Sequence, residues 1–134
     1  PLKKHILQVG LFTAGKNQKY TFELANATQD LNIQYHFVGN HCWKENCKIS
    51  DEHFSLPNCK IWGERSDVDV FMSCMDILVF PSTVELNPIV LIEADSWGMN
   101  IFLNNLEVYG GKYDDNNNVA FMTLDLEKDK EALK

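Results

Sequence analysis

No apolar run in the sequence approaches membrane-spanning length, and no basic-then-apolar leader opens it, so neither a helical membrane span nor a secretory signal is indicated. Positive charge is also scarce. Twelve lysines and arginines against 19 aspartates and glutamates leave a formal net charge of −7. Non-specific nucleic-acid binding needs a basic footprint to release counterions, and that class is therefore excluded. Cysteine is limited to Cys42, Cys47, Cys59 and Cys74, without the dense, even spacing of a secreted disulfide scaffold. Reduced thiols in a cytoplasmic protein are the expectation. His41, Cys42, Cys47, His53 and Cys59 cluster in sequence, but they lack the paired short spacers of a structural zinc site, and no metal is expected. An Asn-x-Thr sequon begins at Asn26, inside a predicted helix, and carries no further argument.

What is present has the balance of an ordinary globular domain, with 45% apolar and 23% charged residues. At 134 residues there is chain for one core and not for two, so residues 1–134 are read as a single domain. Short β-type apolar runs alternate with amphipathic helices, which predicts a parallel sheet covered on both faces. Strands are expected at His5 to Gly10, Gln34 to Gly39, Lys60 to Gly63, Asp76 to Phe80, Asn100 to Leu103 and Val119 to Met122. Helices are expected at Asn17 to Asp30, Val68 to Cys74 and Pro88 to Trp97, with a last one capped by Asp125. Tyr20, Leu24, Ala27 and Leu31 fall on one face of the first helix, and Asn17 is a competent N-cap residue. Asn40 to Pro57 is polar and aperiodic and reads as an excursion with room for a short helix. Met72, Met75 and Trp97 take core-like positions. The fold class is thus α/β, a doubly wound, Rossmann-like parallel sheet of about six strands flanked by helices. The chain opens just before a strand and stops inside a helix, so both ends are expected to be boundaries within a longer protein.

In such folds ligands bind beyond the carboxyl ends of the strands, where the strand order reverses. The loop Gly10-Leu11-Phe12-Thr13-Ala14-Gly15-Lys16-Asn17 lies there, and a phosphate fits a helix N-terminus met by the Lys16 ammonium. Its spacing also covers most of a P-loop, which keeps a magnesium-dependent NTPase open as an alternative. Against it, Asn17 stands where a Ser or Thr hydroxyl should hold the ion. A surface lysine on an ordinary βα turn is the plainer alternative.

The second informative stretch runs from Pro81 to Ala94, with Gly98 following. Glu85 stands in the loop before a helix, and Glu93 follows within that helix after seven intervening residues. Glu93 has Ile89, Val90, Leu91, Ile92 and Ala94 around it, and a carboxylate in apolar surroundings is costly unless paired or hydrogen-bonded. Two ribose hydroxyls would satisfy it; so would solvent, if this face of the helix is exposed. Glu85 has a plain alternative too, as an acid stabilising a helix N-terminus.

Taken together, the Val-Gly strand end with Lys16 downstream, the second Val-Gly, the apolar strand from Asp76, and Pro-Ser-x2-Glu-x7-Glu-Ala-x3-Gly from Pro81 to Gly98 resemble the C-terminal domain of family-4 glycosyltransferases. The resemblance runs from about residue 5 to about residue 125. It implies the nucleotide-sugar-binding half of a retaining enzyme with two Rossmann-like domains (GT-B), serving cell-surface polysaccharide or glycoconjugate synthesis. The acceptor-binding N-terminal domain would be the partner in cis and would carry any membrane association. By itself the domain is expected to bind donor and not to turn it over. The resemblance implies that Glu93 holds the ribose hydroxyls and Glu85 contacts the donor sugar. Lys16 would neutralise the departing diphosphate, and the backbone N–H groups of Asn87 and Ile89, beside Pro88, would hold phosphate oxygens. Ile61, Trp62 and the strand end up to Glu64 would border the base, while Gly10 and Gly39 would allow close approach. No metal or other cofactor is implied; the nucleotide diphosphate sugar is the substrate.

The pattern departs from the family at Leu11, where most members carry an arginine that grips the diphosphate with the lysine. Arg65 is a candidate to compensate. Asn87-Pro88 replaces the usual Phe-Gly, and Asn100 the usual proline. These departures leave room for a degenerate, non-catalytic family member. An interaction module with no nucleotide site is also compatible with the fold class. His41 and His53 are read as residues of a solvated loop, and Trp62 as a core residue before a stacking one.

Overall fold

The protein is described by a computed structural model covering residues 2–86 and 88–134. Among the described residues thirteen elements follow one another. They are β1 (Lys4–Val9), α1 (Gln18–Ala27), β2 (Ile33–Val38), a 3-10 turn at Lys44–Cys47, α2 (Asp51–Phe54), β3 (Cys59–Gly63), α3 (Val68–Cys74), β4 (Ile77–Phe80), α4 (Ile89–Ser96), β5 (Asn100–Leu103), a second 3-10 turn at Glu107–Tyr109, β6 (Val119–Phe121) and α5 (Leu126–Ala132). The six strands form one parallel sheet in the order β3-β2-β1-β4-β5-β6. The chain builds outward from β1 in one direction, then returns to β4 and builds in the other. The switch point therefore lies between β1 and β4.

Strand periodicity separates the core into two layers, as alternation of side chains across a pleated sheet requires. Ile6, Tyr35, Phe37 and Val79 point to one face, where Phe22, Leu24 and Ala25 of α1 and Leu133 beyond α5 cover them. Phe22 and Phe37 stack with ring centroids 4.2 Å apart. Leu7, Val38, Leu78, Ile101 and Leu103 point to the other face, under Phe71 and Met72 of α3 and Leu91 and Ala94 of α4. Each fully buried leucine or phenylalanine is worth about 2 kcal/mol relative to exposure, so the paired layers make the sheet a rigid base for its loops.

The elements differ from expectation in ways with local causes. Helix α1 stops at Ala27 rather than near Asp30, because Thr28 terminates it: the buried Thr28 hydroxyl donates to Leu24 O at 2.7 Å and meets the Tyr35 hydroxyl at 2.9 Å. The excursion after β2 holds the 3-10 turn and α2, the latter capped by Ser50 Oγ accepting from His53 N. Asp125 caps α5 as expected, accepting from Glu127 N and Lys128 N. Lys130 pairs with Asp30, tying α5 to the end of α1, and Lys134 pairs with Glu131 at 2.8 Å. Trp97 is half-exposed at 51% and is not a core residue, because it sits at the C-terminal end of α4 facing outward. Met72 is buried, and Met75 packs partly buried against the same layer.

Candidate functional site

Two loops leave the sheet at the switch point, 10–17 after β1 and 81–88 after β4, and three cross-links stitch them together. Asn17 Nδ2 donates to Pro81 O at 3.1 Å, Thr83 N donates to Gly15 O at 2.9 Å, and Lys16 Nζ meets Glu85 Oε2 at 2.7 Å. The Glu85 side chain is 4% exposed and that of Lys16 28%. A carboxylate so enclosed is tolerated because the ammonium is its direct partner. The same ammonium lies 5.5 Å from the Phe80 ring centroid.

The lysine is aimed by its surroundings. Thr13 Oγ1 accepts from Lys16 N at 3.1 Å, and Gln8 Nε2 donates to Lys16 O at 3.0 Å. At Gly10 an added Cβ would make ordinary van der Waals contact with the stem of Lys16, 3.4 Å from Cδ. Gly39 is required more strictly, since a Cβ on it would fall 1.8 Å from Gly10 O. The backbones of the loops after β1 and β2 touch at that point, so Gly39 serves close approach of chain to chain.

Asn17 takes the N-cap position of α1, but its side chain makes no capping hydrogen bond. It adopts a left-handed conformation (φ 60°), which asparagine tolerates better than most residues, and its amide is spent on Pro81 O. No hydroxyl stands at this position, where a P-loop sets the Ser or Thr that holds magnesium. Gln18 follows, fully buried. Its Nε2 donates to Leu11 O at 3.0 Å, and its Oε1 accepts from Thr13 N at 3.4 Å. Gln18 clamps the phosphate-type loop from within, a role not foreseen from the sequence. A signal for it exists: residues 18, 22 and 25 share one helix phase, and two of the three are core.

The β4–α4 loop is held from β5. Asn104 N donates to Phe80 O and Asn104 Nδ2 to Ser82 O, both at 3.0 Å. Tyr109, from the 3-10 turn beyond β5, packs its ring edge-to-face on Tyr113 with centroids 5.8 Å apart. Burial and then the nearby Glu85 carboxylate push its phenol pKa well above the ordinary value. Among the described residues the buried polar atoms without partners are Gln8 Oε1, Thr21 Oγ1, Ser82 Oγ and Tyr109 Oη. Two of these four belong to the stitched loops or bond to them: Ser82 lies in the β4–α4 loop, and Gln8 donates to Lys16 O.

Other expected site residues lie further out. Glu93 is exposed on α4, with Ile89 and Ile92 also exposed beside it, while Leu91 and Ala94 face the core. The apolar residues around Glu93 in sequence are thus divided between core and surface, and its carboxylate faces solvent. Pro88 takes the N-cap position of α4, and the helix begins at Ile89, one residue later than expected. Asn87 lies outside the described residues. Leu11 is 44% exposed. Arg65 makes a bidentate pair with Asp67, its Nε and Nη2 each 2.9 Å from a carboxylate oxygen, and lies over the Trp62 and Phe71 rings. Its guanidinium is paired within its own loop. Ile61 is half-buried in the layer under α1.

Trp62 is half-buried, and its Nε1 donates to His36 Nδ1 at 3.0 Å. That bond leaves the His36 proton on Nε2, which faces His5 Nδ1 at 2.9 Å. Burial first, then His5 and Lys60, lower the His36 pKa from 6.5 to about 4. The cysteines are free: Cys42 donates to Gly39 O and Cys47 to Gln18 Oε1. Among the described residues no group of three or more His, Cys, Asp or Glu side chains converges to hold a metal, so the 41–59 cluster stays one of sequence. No helix among them is long and apolar enough to cross a membrane.

Comparison with known proteins matches residues 2–119 to the family described as "Glycosyl transferases group 1". No curated protein matches significantly. Among solved structures, WaaG, a glycosyltransferase involved in lipopolysaccharide biosynthesis, superposes with a TM-score of 0.77 at 23% identity, over 98% of this chain and 37% of its own. Anabaena Alr3699/HepE in complex with UDP and glucose gives 0.79 at 16%, over 98% and 38%. TarM gives 0.78 at 15%, over 98% and 27%. The chain therefore spans well under half the length of these structural neighbours.

Proposed function

The chain belongs to the group 1 glycosyltransferase family, and from that premise we propose that it is the donor domain, binding a nucleotide diphosphate sugar for transfer with retention of anomeric configuration. The observation that carries this reading is the Lys16–Glu85 pair at 2.7 Å, set where the β1 and β4 loops meet at the switch point. A cation and an enclosed carboxylate side by side suit a ligand that is anionic at one end and hydroxylated at the other. Lys16, with the N-termini of α1 and α4, would meet the diphosphate, and its charge counts most as the diphosphate departs. Glu85 would accept from sugar hydroxyls. The exposed carboxylate of Glu93 would be free to accept from the ribose, and the edge near Ile61 and Trp62 would border the base. Lysine and helix dipoles would replace a metal ion. On this reading the acceptor site belongs to an N-terminal domain, the 134-residue chain binds donor without turnover, and the protein is cytoplasmic. Any membrane association comes through the other domain. The product class is a cell-surface polysaccharide or glycoconjugate, in keeping with a neighbour involved in lipopolysaccharide biosynthesis.

A second reading, a family member that has lost catalysis, draws on Leu11 and on the commitment of Arg65 to Asp67. One experiment separates the two. Calorimetric titration with UDP, GDP and ADP in EDTA should show micromolar binding of one diphosphate, lost in Lys16→Met. Binding in the millimolar range with little response to that substitution would favour the degenerate reading.

A further inference from the structure

Resting on the donor-site reading, we infer that Glu85 is a specificity-determining residue that turns the site against a bare nucleoside diphosphate and toward the diphosphate carrying a sugar. The means is its ion pair with Lys16, 2.7 Å long. The two members are unequally placed: the Lys16 side chain is 28% exposed and that of Glu85 4%. An incoming anion therefore meets the ammonium, while the carboxylate lies enclosed beneath it. Neither group can withdraw far. Lys16 is held at both backbone groups, by Thr13 Oγ1 and Gln8 Nε2, and its stem lies beside Gly10. The Glu85 loop is fastened to the Lys16 loop by Thr83 N donating to Gly15 O and by Asn17 Nδ2 donating to Pro81 O. Whatever binds Lys16 thus binds close to a fixed carboxylate.

That neighbour opposes phosphate in two ways. Its negative charge offsets the attraction of the ammonium and repels the diphosphate directly. An ammonium drawn toward phosphate also leaves an enclosed carboxylate without its counter-ion, which is unfavourable unless other donors reach it. A diphosphate cannot supply them, because its ionised oxygens only accept. Sugar hydroxyls can, since each has a proton to donate. They accompany the diphosphate in the conjugate and depart with the transferred sugar. The pair therefore accepts the substrate and disfavours the diphosphate that remains after transfer, which shortens the stay of that product in the site. Glu85 in this sense competes with the ligand, because its carboxylate occupies the Lys16 ammonium in the way a phosphate oxygen does.

The test is calorimetric titration of the unaltered 134-residue chain, Glu85→Gln and Glu85→Met with UDP, GDP and ADP in EDTA. Both substitutions remove the charge, so the assignment does not hang on the folding of one variant, and thermal melting checks each. For the diphosphate that binds, affinity should rise roughly three- to tenfold in either variant, the scale of one partly exposed ion pair. The gain should disappear in Lys16→Met/Glu85→Gln, where no ammonium is released. The glucose and galactose conjugates of the same diphosphate are titrated alongside. A conjugate that binds the unaltered chain more tightly than the diphosphate does should not share the gain in Glu85→Met, because it loses the acceptor for its hydroxyls. Diphosphate affinity unchanged or lowered in the folded variants would overturn this assignment and leave the donor site standing. So would a gain that persists without Lys16, or one shared in full by such a conjugate. Absence of diphosphate binding by the unaltered chain and by both variants would overturn the donor-site reading and this assignment with it.

Discussion

Replacing Gly39 with alanine would place a Cβ 1.8 Å from Gly10 O and 2.6 Å from Gly10 C, both backbone atoms that no rotamer change can move aside. Reaching even the 3.0 Å limit of real Cβ contacts means opening the loops after β1 and β2 by at least ~1 Å. That motion strains the bonds from Gly10 N to Val38 O and from Gly39 N to Gly63 O, each 2.9 Å long, at the ends of the paired strands β1 and β2. The loss should be about 3 kcal/mol or more, or roughly 10 °C in Tm for a domain of this size. Gly63→Ala is the internal control. Gly63 also has a positive φ, at 77°, but nothing lies within 4 Å of its added Cβ. It should cost about 1 kcal/mol from backbone strain alone. Urea denaturation followed by circular dichroism measures both. Equal losses in the two variants would refute the close-approach argument, because the control lacks only the clash. Gly39→Ala should also weaken diphosphate binding, since Gly10 and the stem of Lys16 shift with the loop.

Lys16→Met strands the Glu85 carboxylate in an enclosed position and should cost roughly 3 kcal/mol in urea denaturation. Most of that should return in the Lys16→Met/Glu85→Gln double variant, and a purely additive double would contradict direct pairing. His36 titrates at about 4 when folded and near 6.5 when unfolded. Its contribution is therefore intact above pH 6.5 and is lost as pH falls toward 4, because the unfolded chain takes up the proton first. The loss should approach ~3 kcal/mol, and His36→Phe should flatten the stability profile in that window; an unchanged slope would count against the burial argument. Asp129 is buried and accepts from Tyr20 Oη, Thr123 N, Thr123 Oγ1 and Leu124 N. Asp129→Ala should cost about 3 kcal/mol and release α5, seen as faster amide exchange from 123 to 133. A change under ~1 kcal/mol would show that the network is not what anchors the helix.

Period and punctuation made the sheet legible from sequence. Val68–Cys74 and Asn100–Leu103 fall where expected, because apolar runs there are bounded by residues that end an element for local reasons, such as Gly98. Lys16 and Glu85 are each singled out by their motifs, but their pairing joins residues 69 apart in sequence and only the fold displays it. What was hidden depends on partners equally distant. Asn17 looks like a cap until Pro81 is beside it, and Asp129 looks like a surface acid until Tyr20 is. Glu93 shows the reverse: apolar neighbours in sequence suggested enclosure, but the helix divides them between core and solvent. Tyr109 carried no sequence signal, since an aromatic in a turn-rich stretch is ordinary and only burial without a partner distinguishes it.

The central claim is that a diphosphate binds where the β1 and β4 loops meet. Its most direct test is a backbone-amide NMR titration of the chain with UDP, GDP and ADP in EDTA. One diphosphate should shift amides of residues 10–17, 82–86 and 89–93 and leave β6 and α5 unmoved. Shifts centred elsewhere, or shifts that appear only with magnesium and a triphosphate, would contradict the account.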